Sequence, residues 1–130
     1  AGPIVPREAQ TAVFSTDDTI VAVATAAGHA GVGLVRVSGP EAAGVGQSLA
    51  RRSAAWPARR AVRAVVATED LAADALVTFF PGPASYTGDD VLEISAHGSP
   101  VILAAIVRQA IALGARPARP GEFTLRAFLR

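Results

Sequence analysis

The chain has 130 residues, the length of one domain, and 51% of them are hydrophobic against 18% charged, a globular composition with enough apolar matter for an ordinary core. The formal net charge is +1, too small for a field that steers nucleic acid or membranes. Cysteine is absent, which excludes a disulfide framework, a thiol nucleophile and a thiolate metal site, and two histidines cannot build a three-histidine zinc site. All 12 basic residues are arginines. Without lysine there is no complete phosphate-binding loop of the G-x-x-x-x-G-K-[ST] type and no Schiff-base residue. No apolar run reaches the ~18 residues of a membrane span, and no charged start leads into an apolar stretch as in a signal peptide, so a cytoplasmic location is expected.

Residues 1–18 lack periodicity, contain Pro3 and Pro6, and do not begin with methionine. They read as a loose leader, trimmed or in part an expression artefact. Residues 20–24 form a β-prone run. Residues 33–38 form a second, with Leu34 and Arg36 on one face and Val35 and Val37 on the other. Between them, Gly28-His29-Ala30-Gly31-Val32-Gly33 reads either as a tight strand-to-strand turn or as an anion-cradling loop; its spacing is not the dinucleotide G-x-G-x-x-G. Ser38-Gly39-Pro40-Glu41 matches a capping box, opening a helix whose apolar stripe is Ala42, Val45 and Leu49. Gly44 and Gly46 weaken that helix by about 1 kcal/mol each, so packing must hold it. Arg51, Arg52, Arg59, Arg60 and Arg63 form a basic cluster, either a solvated helix end and linker or a weak RNA-phosphate patch. Trp56-Pro57 marks a turn.

Residues 61–67 and 74–80 read as strands of a hairpin joined by a turn at 69–73. Residues 81–89 are a loop by composition. Residues 91–96 alternate again, with Leu92, Ile94 and Ala96 on one face and Val91, Glu93 and Ser95 on the other. The clearest element follows: Ser99 as N-cap, Pro100 at the first helical position, Gly114 just past the end, and a stripe of Ile102, Leu103, Ile106, Val107, Ala110 and Leu113. Residues 116–119 are extended, held by Pro117 and Pro120. Residues 123–130 begin a helix that is cut off mid-element, as in a fragment. The order β-β-α-β-β-β-α-β predicts an α+β fold, one mixed sheet with helices packed on it.

Two in-strand charges stand out. Arg36 and Glu93 lie among apolar neighbours, and a buried charge is costly unless it is paired or meets something polar. Either they pair with each other or lie on a solvated face, or they face a polar ligand; a carboxylate can accept two hydrogen bonds side by side from a flat heterocycle. Asp89 and Asp90 point to opposite faces of an extended segment, so they do not form a shared-proton dyad, and Asp89 is expected to order the turn after Gly88. His97-Gly98 joins a strand to a helix N-terminus, which could hold an anion or simply connect the two.

Three blocks carry a resemblance. Thr19-Ile20-Val21-Ala22 with Gly31-Val32-Gly33-Leu34-Val35-Arg36-Val37-Ser38-Gly39 is similar to the start of the MnmE (TrmE) family of tRNA-modification GTPases. Phe80-Pro81-Gly82-Pro83-Ala84-Ser85-Tyr86-Thr87-Gly88-Asp89-Asp90-Val91-Leu92-Glu93 followed by His97-Gly98 resembles its F-P-G-P-x-S-Y-T-G-E-D signature. Arg119-Pro120-Gly121-Glu122-Phe123-Thr124-Leu125-Arg126-Ala127-Phe128-Leu129 resembles its R-P-G-E-F-T-x-R-A-F-L. Ala26-Ala27 stands where the family has Pro-Pro, Asp89 where it has Glu, and Arg130 where it has Asn.

The resemblance implies a folate-binding and dimerisation domain over 19–121, similar to the tetrahydrofolate-binding domain of glycine-cleavage aminomethyltransferases, and over 122–130 the start of a helix leading to a helical and GTPase region beyond this chain. It places Arg36 and Glu93 on the family's folate contacts: Glu93 accepts from the pterin amino and ring N–H groups, and Arg36 meets a carbonyl or carboxylate. The implied ligand is 5-formyl-tetrahydrofolate or a related reduced folate, with GTP, Mg and K belonging to the absent GTPase domain. The implied partners are a second copy of the chain, an MnmG-type protein and tRNA, with no membrane, and the implied process is modification of the wobble uridine of certain tRNAs. A purely structural dimerisation module without ligand is the alternative.

Overall fold

The computed structural model describes residues 17–25, 31–97 and 100–129. Strands β1 (Ile20–Val23), β2 (Val32–Ser38), β3 (Val62–Ala67), β4 (Ala72–Phe80), β5 (Val91–His97) and β6 (Arg116–Pro117) form one sheet in the order β3-β4-β5-β2-β1-β6. Neighbours are antiparallel except β1 and β6, which run parallel, so the sheet is mixed as expected. Helices α1 (Ala42–Leu49), α2 (Pro100–Ala112) and α3 (Glu122–Leu129) complete the α+β fold among the described residues. None of these helices is long and apolar enough to cross a membrane.

Strand alternation decides which face α1 and α2 cover. Val35 and Val37 of β2, Leu92 and Ile94 of β5 and Val77 of β4 point to one face and meet Val45 and Leu49 of α1 and Leu103 and Ile106 of α2 in a single core. Each such burial contributes about 1.5–3 kcal/mol. Trp56, expected only to mark a turn, fills the end of this core and donates from Nε1 to the Ala43 carbonyl at 3.1 Å. The opposite face carries Arg36 and Glu93 and leaves Val32, Val65 and Leu76 exposed at 46%, 55% and 49%. We call it the open face.

Several sequence expectations need correction. Ser38 does not cap α1: Glu41 occupies the N-cap without a side-chain cap bond. Ser38 is the last residue of β2 and fully buried, and its hydroxyl pairs with that of Thr87, also buried, at 2.7 Å. Two buried hydroxyls satisfy each other, which outweighs a cap that solvent can replace. Thr19 serves the helix start instead, its Oγ1 accepting from the Glu41 N–H at 2.8 Å. Leu113, read as part of the α2 stripe, lies beyond the helix end and is 37% exposed. The Ser99 cap, Gly28 to Ala30 and Gly98 lie outside the described residues. The basic cluster is solvated, with Arg51, Arg59, Arg60 and Arg63 exposed, and two of its members also bond locally: Arg52 stacks on Trp56 at 4.8 Å and donates to the Ala54 and Ala55 carbonyls, and Arg59 donates to the Ala84 carbonyl at 2.7 Å.

Candidate functional site

The antiparallel register of β2 and β5 sets Arg36 directly opposite Glu93, both on the open face. Arg36 donates from Nε and Nη2 to one carboxylate oxygen, Glu93 Oε2, at 2.9 and 2.8 Å. Of the two readings drawn from the sequence, the pair with each other is therefore present. It does not consume either group: Glu93 Oε1 and Arg36 Nη1 take no hydrogen bond among the described residues. The side chains are 22% and 25% exposed, so solvent or a ligand can reach them.

Two rings frame the guanidinium, which lies 5.0 Å from the Tyr86 ring centre and 5.8 Å from that of Phe123. Such contacts contribute about 0.5–1 kcal/mol at exposed sites and more when desolvated. The 81–90 loop brings Tyr86 there because its other polar residues are tied internally. Thr87 bonds Ser38, Asp90 Oδ1 accepts from the Gly82 N–H at 2.9 Å, and the Ser85 hydroxyl donates to the Asp89 carbonyl. Gly82 is required at the closure, since a Cβ there would lie 2.6 Å from the Gly88 carbonyl oxygen. The Asp89 backbone N–H donates to Thr87 Oγ1 at 3.3 Å. Tyr86 then reaches α3, its hydroxyl 3.2 Å from Thr124 Oγ1.

Phe123 is placed by a second cluster, which the sequence reading did not find. Arg116 on β6 bridges Asp18 (Nε to Oδ2, 2.5 Å) and Glu122 (Nη2 to Oε2, 2.6 Å). Arg126, fully buried, donates to the Asp18 carbonyl and to Asp18 Oδ1, each at 2.7 Å, and lies 3.4 Å from Glu122 Oε2. Hydrogen bonds from Arg116 hold the Asp18 carboxyl below the usual carboxylate range, with the charges of Arg116 and Arg126 adding to the effect against burial. Burial would raise Glu122, but hydrogen bonds from Arg116 and the Arg119 N–H, with the two arginine charges, outweigh it and hold it low. Arg116 is raised, by its bonds to Asp18 and then to Glu122. The Glu122–Arg126 spacing of four on a helix was a visible signal for half of this cluster. The other half joins residues 98 and 108 positions apart, which no local pattern reports.

Beside the Arg36 pair opens a cleft of about 360 Å³, lined by Ala22, Val23, Ala24, Arg36 and residues 118–124. A second cleft of about 370 Å³ on the open face holds Arg63, Asp74 and His97. Among the described residues no group of three or more His, Asp or Glu could hold a metal ion. The first arrangement offers a carboxylate acceptor and a guanidinium donor side by side, aromatic surface and a shallow cleft, a set suited to holding a flat polar ring.

Residues 19–130 match the family model described as "GTP-binding protein TrmE N-terminus". A protein of Legionella pneumophila (strain Corby) named tRNA modification GTPase MnmE is 49% identical over 113 residues, covering 86% of this chain and 25% of that protein. Proteins of the same name from Ectopseudomonas mendocina and Koribacter versatilis are 50% and 49% identical, covering 86% and 89% of this chain and 25% and 27% of their own lengths. The chain thus spans about a quarter of these relatives, and by the family match over nearly all its described residues it belongs to the TrmE N-terminal family.

Proposed function

We propose that this chain is the N-terminal folate-binding and dimerisation module of a tRNA-modification GTPase, taking 5-formyl-tetrahydrofolate or a related reduced folate. The parent protein hydrolyses GTP with Mg and K in a region outside this chain and acts in the cytoplasm with an MnmG-type partner on the wobble uridine of certain tRNAs. The relatives' shared name, tRNA modification GTPase, supports the parent activity.

One observation carries the ligand reading. Arg36 donates twice to a single carboxylate oxygen of Glu93, leaving the other oxygen as an acceptor and Nη1 as a donor, and Arg36 itself lines the cleft. The edge of a pterin presents amino and ring N–H donors next to a carbonyl, so Glu93 Oε1 accepts from the first and Arg36 Nη1 donates to the last. Glu93→Gln keeps the shape but exchanges an acceptor for a donor, leaving ligand N–H groups unsatisfied at about 1–3 kcal/mol. Calorimetric titration of 5-formyl-tetrahydrofolate into the full-length protein is expected to show binding weakened at least about tenfold in Glu93→Gln, or 1.4 kcal/mol. Equal affinities remove Glu93 from the site.

The structural-dimer alternative has one observation in its favour: Arg36 and Glu93 already pair with each other in the chain alone. Absence of heat and of competition at any ligand concentration selects it.

A further inference from the structure

We infer that Arg119 is the residue that receives the acidic tail of the ligand, so that the site selects a flat ring carrying a carboxylate rather than the ring alone. The assignment rests on the folate reading above and extends it to the other end of the cleft.

The argument is one of charge. Three charged residues, Arg36, Arg119 and Glu122, are among those that line the cleft beside the Arg36 pair. Arg36 is neutralised by Glu93. Glu122 belongs to the closed group in which two carboxylates, Asp18 and Glu122, face two guanidinium groups, Arg116 and Arg126. Arg119 is left over. Its backbone N–H is used, donating to Glu122 Oε1 at 2.9 Å, but its side chain is exposed and its guanidinium has no partner among the described residues. The cleft therefore carries one uncompensated positive charge, at the end of its lining away from β2. By contrast, the other cleft of the open face has one arginine, Arg63, and one aspartate, Asp74, in its lining, whose opposite charges cancel.

Local structure fixes where this charge sits. The Ala118 N–H donates to the Val21 carbonyl at 2.9 Å, which holds the segment before Arg119 against β1. Glu122 then holds the Arg119 N–H from the first turn of α3. The backbone of Arg119 is thus pinned on both sides while its side chain stays available, and Ala22, Ala24, Ala118 and Gly121 keep the cleft between it and Arg36 free of bulk. A guanidinium presents its donors in a fork that matches a carboxylate, which makes the contact specific as well as attractive.

The test compares two ligands on the full-length protein: 5-formyl-tetrahydrofolate and 5-formyl-tetrahydropteroate, which has the same ring system but no glutamate. Wild type is expected to bind the glutamate-bearing ligand about tenfold more tightly, and Arg119→Gln to bind the two equally while its affinity for the pteroate stays at the wild-type value. Arg60→Gln, outside the cleft lining, is expected to keep the wild-type preference. Glu93→Gln is expected to weaken both ligands alike, which separates the ring end from the tail end. Two results overturn the assignment and leave the folate reading intact: wild type binds both ligands equally, or Arg119→Gln retains the preference. If wild type binds neither ligand, the folate reading itself fails and this assignment falls with it. A thermal midpoint for Arg119→Gln within a degree or two of wild type is expected, since no bond of the fold uses that side chain; a large drop with equal loss of both ligands also overturns the assignment.

Discussion

An ion pair as exposed as Arg36–Glu93, at 22% and 25%, contributes roughly 0–1 kcal/mol net. That is too little to explain two charges on a strand by stability alone, and Glu93→Gln should accordingly alter binding far more than folding. Two glycines two positions apart on α1 give a sharper residue-scale contrast. A Cβ at Gly44 meets nothing within 4 Å, whereas at Gly46 it would lie 2.5 Å from Leu92 Cδ2 and 3.2 Å from Trp56 Nε1. Gly44→Ala is expected to stabilise by about 0.5–1 kcal/mol through helix propensity. Gly46→Ala gains the same propensity but must displace a fully buried leucine, and overpacking of about 1–3 kcal/mol makes it destabilising. Urea unfolding of the two variants checks the opposite signs. Arg36 and Glu93 are legible as candidates because each is a charge among apolar neighbours within a strand. That they face one another is not, because it depends on a register between segments 57 residues apart. Tyr86 and Phe123 stand inside the sequence motifs, but no local pattern shows that they cover Arg36, since only the folded loop and α3 bring them over β2.

Elements were more readable than their fastenings. The alternation of β2 and β5, the hairpin reading of β4 and the punctuation of α2 by Pro100 and Gly114 locate those segments to within a residue or two. The capping box failed because Ser38 had a buried alternative in Thr87, a tertiary contact the local motif does not contain. Asp18, placed by sequence in the leader, ties the chain just before β1 to β6 and α3. This tether has a pH signature. Asp18 and Glu122 both have folded-state pKa values below their ordinary range. A depressed carboxylate contributes stability that is fully present above its unfolded value of about 4 and is lost as pH falls through the lowered folded value. Stability is therefore expected to hold down to about pH 5 and decline below about pH 4. In Glu122→Gln the decline should be shallower, from a lower starting point, because one titrating partner is gone while Arg126 loses an acceptor. Urea midpoints measured across pH 2–7 check this, and parallel acid limbs for both proteins would remove Glu122 from the linkage.

At the scale of the whole molecule, α1 and α2 cover one face of the sheet among the described residues, and the 81–90 loop and α3 reach the other face at Arg36. The helices bury Val35, Val37, Leu92 and Ile94, while the open face leaves Val32, Val65 and Leu76 close to half exposed beside Arg63 and Asp74. An isologous dimer, as proposed for this module, sets one such patch against its own copy. Apolar side chains then meet each other, and a two-fold can bring the arginine of one copy against the aspartate of the other, so the patch is complementary to itself. A stable interface buries roughly 1,200–2,000 Å² in total, and the exposed valines and leucine supply apolar surface for one. Sedimentation equilibrium is expected to show a concentration-dependent dimer for wild type. Leu76→Glu puts two like charges near the two-fold at the cost of apolar contact. On β4 its side chain is already half exposed, so the fold should survive the change. The variant is expected to sediment as a monomer at concentrations where wild type is dimeric. A dimer that persists unchanged in Leu76→Glu places the interface elsewhere on the molecule, and a wild-type monomer at every concentration removes dimerisation from the properties of this chain by itself.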